Sequence, residues 1–203
     1  MSTTPTLQRI KSKLSDLKKL DGEYALFGAH KHKYVLNPPC TEKQVSDFEL
    51  KNKIKLPEGY RDFLLVIGNG GSGPYYGLEP LENGLFADLD YKSPDRLNDL
   101  SKEFPFTDKW NMNFRGLGEA EYSKKKKEEY YKAEFSNGLL RICNYGCGVS
   151  INLVVNGSEY GNIWTDDRCN DQGIYPDTLF GNVQRLDFLT WYELWLDESL
   201  ILS

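Results

Sequence analysis

Gly68, Gly70 and Gly73 satisfy the G-x-G-x-x-G spacing of a dinucleotide-binding turn, and Asp88 lies about where a ribose-binding acid belongs. Such a turn cradles pyrophosphate only when the open N-terminus of a helix follows directly. Here Pro74-Tyr75-Tyr76-Gly77 and then Pro80 follow, a poor helix start, and no Lys-Ser or Lys-Thr completes a P-loop. Nucleotide chemistry is therefore not expected. Cys143-x-x-x-Cys147 could hold half of a metal site, yet the chain has no C-x-x-C pair or Cys/His zinc spacing. Its only histidines, His30 and His32, lie far upstream. On a strand, H-x-H would point both rings the same way; an exposed linker pair is the simpler reading. Asp166-Asp167 could bind a hard cation, although paired aspartates at a loop more often cap a turn. There is no G-x-S-x-G, no H-E-x-x-H and no Cys set for activation by His. No metal or cofactor is expected.

The elements that would position these residues are legible in part. Leu7, Ile10, Leu14 and Leu17 fall at helical spacing, an amphipathic helix able to cover one edge of the main domain. Tyr24 to Leu36 reads as an extended or irregular connector. Thr41-Glu42-Lys43-Gln44 is a capping-box pattern that starts a second helix with Val45, Phe48 and Ile54 inward. Pro57 suits the first position of a third, with Tyr60, Phe63, Leu64 and Ile67 on one face. Gly68 is expected to stop it in the left-handed region, and Gly70, Gly71 and Gly73 to form a tight turn. Residues 77–81 and 85–89 read as short strands about a Glu82-Asn83-Gly84 turn.

Residues 91–135 are punctuated by Ser93-Pro94 and Phe104-Pro105 and read as an insertion with some helix. Residues 139–145 and 149–155 are β-rich runs joined by Gly146-Cys147-Gly148. Asn156-Gly157 is a hairpin signal, after which residues 160–164 should pair back. Asp166, Asp167, Asp171 and Gly173 read as a loop. Residues 187–196 close the chain as a helix with Phe188, Trp191, Leu194 and Trp195 inward. Helices, then antiparallel strands, then a helix make an α+β fold rather than a βαβ succession. The expected division is an N-terminal helix and connector over residues 1–33 and a domain over 34–203.

Composition narrows the partners. The 203 residues carry 25 Lys and Arg against 30 Asp and Glu, a net charge of -5 that disfavours a phosphate backbone and mildly favours a basic partner. The one basic run, Lys124 to Lys127, sits in a segment from Glu119 to Glu134 with five Lys and five Glu. It reads as a solvated face, although Tyr122, Tyr130 and Tyr131 could stack on bases. No apolar run approaches membrane-spanning length, and the polar start lacks a secretory h-region, so a cytoplasmic protein with reduced thiols is expected.

Several stretches together resemble one family: L-P-x-x-Y-R-x-F-L-L at Leu56 to Leu65, the turn G-N-G-G-x-G-P with Y-G-L-x-P-L after it, the strands about Gly146-Cys147-Gly148, G-N-I-W, and the closing F-L-x-W-Y-x-x-W-L. This set is similar to the SUKH superfamily, which includes the domain named for the fungal cell-wall assembly and glucan-synthesis regulator. The resemblance runs from about Tyr34 to Leu196, apart from the middle segment. It implies a curved, mainly antiparallel sheet packed on helices. It also implies, for bacterial members, an immunity role: binding and neutralising the cognate polymorphic toxin domain in the cytoplasm. Fungal relatives work in cell-wall signalling and carry long disordered flanks, so the compact length here turns the expectation toward the bacterial role.

The leading expectation is thus a non-catalytic protein-binding module, monomeric or weakly dimeric, with no nucleic-acid or membrane partner. An acidic surface would suit a basic nuclease toxin. Candidate contacts are Tyr75, Tyr76 and Glu79 after the glycine turn, with Trp164, Asp166, Asp167 and Asp171 at the hairpin end. Trp164 and Tyr76 read equally well as core, and the aspartates as loop formers. Two rivals remain: a hydrolase using paired carboxylates, and a module that takes a small ligand or peptide on the concave face of the sheet.

Overall fold

The computed structural model describes residues 3–203. Its first helix, α1 (Thr4–Leu20), buries the Leu7, Ile10, Leu14 and Leu17 stripe, and Lys18 and Lys19 complement the dipole at its C-terminus. The stripe packs on the last helix of the chain. Across that seam Arg9 and Lys13 pair with Glu193 at 2.8 and 2.9 Å. The connector contains one helical turn, α2 (Ala29–His32), entered through Gly28 at φ 80. The third helix, α3 (Glu42–Asn52), opens on the Thr41–Gln44 capping box and buries Val45. After it, α4 (Glu58–Val66) starts one residue beyond Pro57 and buries Tyr60, Phe63 and Leu64.

The glycine turn departs from expectation in one respect. Gly70 and Gly71 are left-handed, at φ 83 and 100, but Gly68 is not. What excludes a side chain at Gly68 is proximity: a Cβ there would lie 2.6 Å from the Asn37 carbonyl oxygen. Residues 77–81 and 85–89 form no strands. Leu78 makes isolated bridges to Gly71 and Cys143, Phe86 bridges Leu97, and Leu81–Leu85 is a 3-10 turn. Too few consecutive backbone groups find partners there to build a ladder.

The sheet comprises β1 (Leu139–Gly146), β2 (Val149–Val154), β3 (Ile163–Asp167) and β4 (Gly173–Pro176), all antiparallel in the order 1-2-3-4. Two irregularities in β1, at 141–143 and 144–146, bend it. The β2–β3 connection spans residues 155–162 rather than closing as a two-residue Asn-Gly turn, because Gly157 alone of that pair is left-handed and a type I′ turn needs both. Asp166 and Asp167 belong to β3, not to a loop, and β4 was hidden from sequence reading by its length.

One face of the sheet gives Leu140, Ile142, Ile151, Leu153 and Ile163 to the helical core. The centre of that core is aromatic: Phe188, the first residue of α6 (Phe188–Leu202), sits 4.8 Å from Tyr60 and 5.1 Å from Phe63, and Tyr192 lies 4.9 Å from Phe63. Asp187 caps α6 by accepting the Thr190 N–H at 2.8 Å.

The opposite face is covered as well. Leu139, Val154, Trp164 and Ile174 form a second cluster with Phe104, and Phe106, Trp110 and Phe135 pack on it. The segment that supplies this cover also contains α5 (Glu119–Lys125), continued by a π-helical turn to Tyr130, which is itself buried. Trp110 joins the outer edge of β4 through reciprocal hydrogen bonds with Ile174 of 2.8 and 2.9 Å. Gly173 makes this possible. It sits at φ 85, and a Cβ there would lie 2.0 Å from the Trp110 carbonyl oxygen. Gly173→Ala is therefore expected to destabilise the fold by about 2 kcal/mol or more, read from urea unfolding, because strain and collision add at one position.

Candidate functional site

Two regions gather the residues with functional potential. The first is an aromatic surface built where α2, the glycine turn and the end of β1 meet. Gly28 is pressed so closely on the turn that a Cβ would lie 1.6 Å from the Tyr75 carbonyl oxygen. Gly146, at φ 104, leaves room for the Tyr76 ring, which a Cβ would meet at 2.7 Å. These contacts bring four rings together: Tyr75 with Tyr145 at 4.3 Å, Tyr76 with Phe27 at 5.4 Å, and Phe27 with Tyr145 at 6.2 Å. Phe27 is 63% exposed and Tyr145 42%. Tyr75 and Tyr76 are half-buried, and burial raises the Tyr75 hydroxyl above its ordinary pKa. Asp90 stands beside this surface, accepting from Asn144 Nδ2 at 2.8 Å and from the Gly148 N–H at 3.0 Å. Glu79 is held locally by Asn83 and Lys92.

The second region is polar and lies on the covered face of the sheet. In strand register, Asn152 stands opposite Arg141 on one side and Trp164 on the other, and Ser150 stands opposite Asp166. Arg141 donates to Ser150 and Asn152 through Nη1 and to Asp166 through Nη2 at 3.1 Å. Arg168 grips the same carboxylate through Nε at 2.8 Å and Nη2 at 2.7 Å, and its Nη1 donates to the Tyr130 carbonyl. Burial alone would push the Asp166 carboxyl up; the Arg168 and Arg141 guanidinium groups outweigh it and hold the group far below the usual carboxylate range.

The expected hairpin-end contacts therefore divide. Trp164 is fully buried against Phe104, 4.9 Å between rings, and Asp166 is buried in its ion pairs, so neither is a surface contact. Asp167 is half-buried and accepts from Asn170 and Tyr175. Asp171 fastens α5 and its π-turn to the sheet: it pairs with Lys126 at 2.6 Å and accepts from the Tyr122 hydroxyl at 2.7 Å. Tyr75 and Tyr76 lie on the aromatic surface, whereas Glu79, further along the same segment, is half-buried and held by Asn83 and Lys92. Phe27 and Tyr145 join the two tyrosines, although neither helical nor strand-face spacing singles them out. Arg141 was detectable in principle, as the lone charge inside the run Leu139 to Cys143.

His30 and His32 sit on α2 rather than on a linker. His30 is exposed, whereas His32 packs on Tyr34 and Trp195 with ring centroids 5.2 and 6.1 Å apart. Burial lowers the His32 pKa to about 4, with the charge of His30 adding to the effect. All four cysteines are free. Burial raises the Cys40 and Cys143 thiols, and raises Cys169 to about 11 with Asp167 contributing, so these three are poor nucleophiles. Among the described residues no group of three or more His, Cys, Asp or Glu is placed to hold a metal ion, and no helix is long and apolar enough to cross a membrane.

Asp166→Ala leaves two buried guanidinium groups without their counter-charge, and a loss of about 3–5 kcal/mol is expected in urea unfolding. His32 stays neutral in the folded chain while an unfolded histidine takes up its proton below about pH 6.5. The unfolded state thus binds more protons between about 6.5 and about 4, and stability falls as pH is lowered through that window. The stability difference between wild type and His32→Gln is expected to shrink between pH 7 and pH 5; an unchanged difference would remove His32 as its source.

No curated protein and no solved structure matches the chain. One family model does, that of the SMI1 / KNR4 family (SUKH-1), over residues 39–179. The match takes in α3, α4, the glycine turn, the aromatic-rich cover and the whole sheet, and leaves α1, α2 and α6 outside. With well over half of its length matched, and with helices preceding an antiparallel meander in the same order, the chain belongs to the SMI1 / KNR4 family (SUKH-1).

Proposed function

We propose that this protein is a non-catalytic binding protein that recognises and neutralises a cognate toxin domain in the cytoplasm, using the aromatic surface of Phe27, Tyr75, Tyr76 and Tyr145 as its contact. The observation that supports this is the gathering of four packed rings, Phe27 and Tyr145 exposed and Tyr75 and Tyr76 half-buried, about a turn seated by glycines that admit no side chain. Rings held against one another lose little entropy when a partner covers them, and aromatic clusters of this kind dominate binding energy at protein interfaces. The net charge of -5 and the neighbouring Asp90 favour a basic partner such as a nuclease. Family membership is compatible with an immunity role and with a cell-wall regulatory role. A hydrolase reading loses support because Asp166, the most perturbed carboxylate in the sheet, is committed to two arginines and buried.

Co-expression with the toxin-like reading frame beside the gene is expected to restore growth and to yield a stoichiometric complex on pull-down. Phe27→Ala with Tyr145→Ala is expected to weaken that complex by about 2 kcal/mol or more, roughly 30-fold, with no change in unfolding midpoint. Full rescue by the double variant would move the contact elsewhere on the molecule. Turnover of any substrate by the isolated protein would overturn the non-catalytic reading.

A further inference from the structure

The covered face of the sheet is not sealed along its whole length. Between the arm formed by residues 87–98 and the stretch 127–136 lies a cleft of about 660 Å³, with Arg141, Ser150 and Asp166 of the sheet among its lining residues. That size is typical of small-ligand sites. Arg141 is only 4% exposed, and each terminal nitrogen of its guanidinium has an acceptor, but its Nε–H has none. A charged donor left in this state costs the desolvation of that group with no compensating bond.

The charges on the floor do not balance either: Arg141 and Arg168 share one carboxylate, Asp166. Asp88, on the facing arm, spends Oδ1 on the backbone N–H groups of Asp90 and Tyr91, and Asp90 is tied to Asn144 and Gly148. These acids line the wall of the cleft without reaching the vacant Arg141 donor. The walls carry Asp88, Asp90 and Asp95 against Arg96 and Lys127, a small acidic surplus that disfavours a dianion, while the floor calls for one negative charge.

We propose that this cleft is a binding site for a carboxylate group, a monoanion seated over Arg141 with the Nε–H as a charge-assisted donor. The carboxylate could come from a free organic acid or from an acidic side chain of a protein partner, and the chemistry of recognition is the same for both. The site lies on the covered face and shares no ring with the aromatic surface, so its failure and that of the toxin-binding reading are separable.

The test is titration of the isolated, full-length protein followed by ¹H–¹⁵N spectra that resolve the Arg141 Nε–H, with calorimetry alongside. The probes are succinate, the blocked peptide acetyl-Gly-Glu-Gly-amide, and inorganic phosphate. A saturable shift of the Arg141 Nε–H with succinate or the peptide is expected, with phosphate weaker than both. Tighter binding of succinate assigns a free acid; tighter binding of the peptide assigns a partner side chain. Ala87→Phe, which fills the cleft from its wall and leaves the Arg141–Asp166 pair untouched, is expected to weaken binding about tenfold or more. Arg141→Lys should abolish the calorimetric signal, and Ala87→Phe keeps the test decisive if that variant does not fold. No saturable shift with either carboxylate, tighter binding of phosphate, or full affinity in Ala87→Phe would overturn the proposal.

Discussion

The rest of the molecule is arranged around one buried carboxylate held by two guanidinium groups. Asp166 on β3 receives Arg141 from β1 and Arg168 from the turn after β3, so the cluster ties together strands that are not neighbours. Charges taken out of water in this way need close pairing and additional hydrogen bonds to offset the hydration they lose. Ser150 and Asn152, which would face solvent on a one-sided sheet, are instead buried as acceptors for Arg141. The long middle segment is then a structural necessity: its Phe104, Phe106, Trp110 and Phe135 keep the face dry beside the ion cluster, and Tyr130 offers its carbonyl to Arg168.

This arrangement separates two tasks. The helical face of the sheet supplies ordinary hydrophobic stability through Phe188, Phe63, Tyr192 and the Leu and Ile residues around them. The opposite face supplies a rigid charged floor. The aromatic surface lies at the margin of both, where the end of β1 meets the glycine turn, and inherits its rigidity from close backbone contacts rather than from a deep core. That is the combination a recognition surface requires: side chains exposed, backbone fixed.

The signals for α1, α3, α4 and α6 were legible because they are local, whereas the single turn α2 lies inside what reads as a connector. The Leu7–Leu17 stripe, the Thr41–Gln44 box and the closing Trp191–Trp195 helix each rest on spacing or on a cap within one turn of chain. The strands of the meander were legible from their β-branched runs. Illegible features depend on distant partners. Residues 77–81 look like a strand because Leu78 does pair, but only through single bridges to segments the local sequence cannot reveal. Gly68 looks like a helix stop, yet its constraint comes from Asn37, far back in the chain. Asp166-Asp167 reads as a turn because aspartates usually are exposed; the arginine at position 141 that buries Asp166 lies 25 residues away. Of the aromatic surface, Tyr75 and Tyr76 were found through their turn, whereas Phe27 and Tyr145 acquire meaning only once the fold sets them beside it.

Both outer margins of the meander are occupied. Leu78 and its neighbours engage β1, with the Glu79 N–H on the Ile142 carbonyl at 2.9 Å and the Tyr76 N–H on that of Asn144 at 3.3 Å, while Trp110 engages β4. An unoccupied margin would be a template for another chain to add itself in register, and concentrated solutions of such proteins tend toward fibrils and exchanged segments. Here that template is withheld by the chain itself. A further strand could join this sheet only by first displacing Leu78 and Glu79 from one margin or Trp110 from the other.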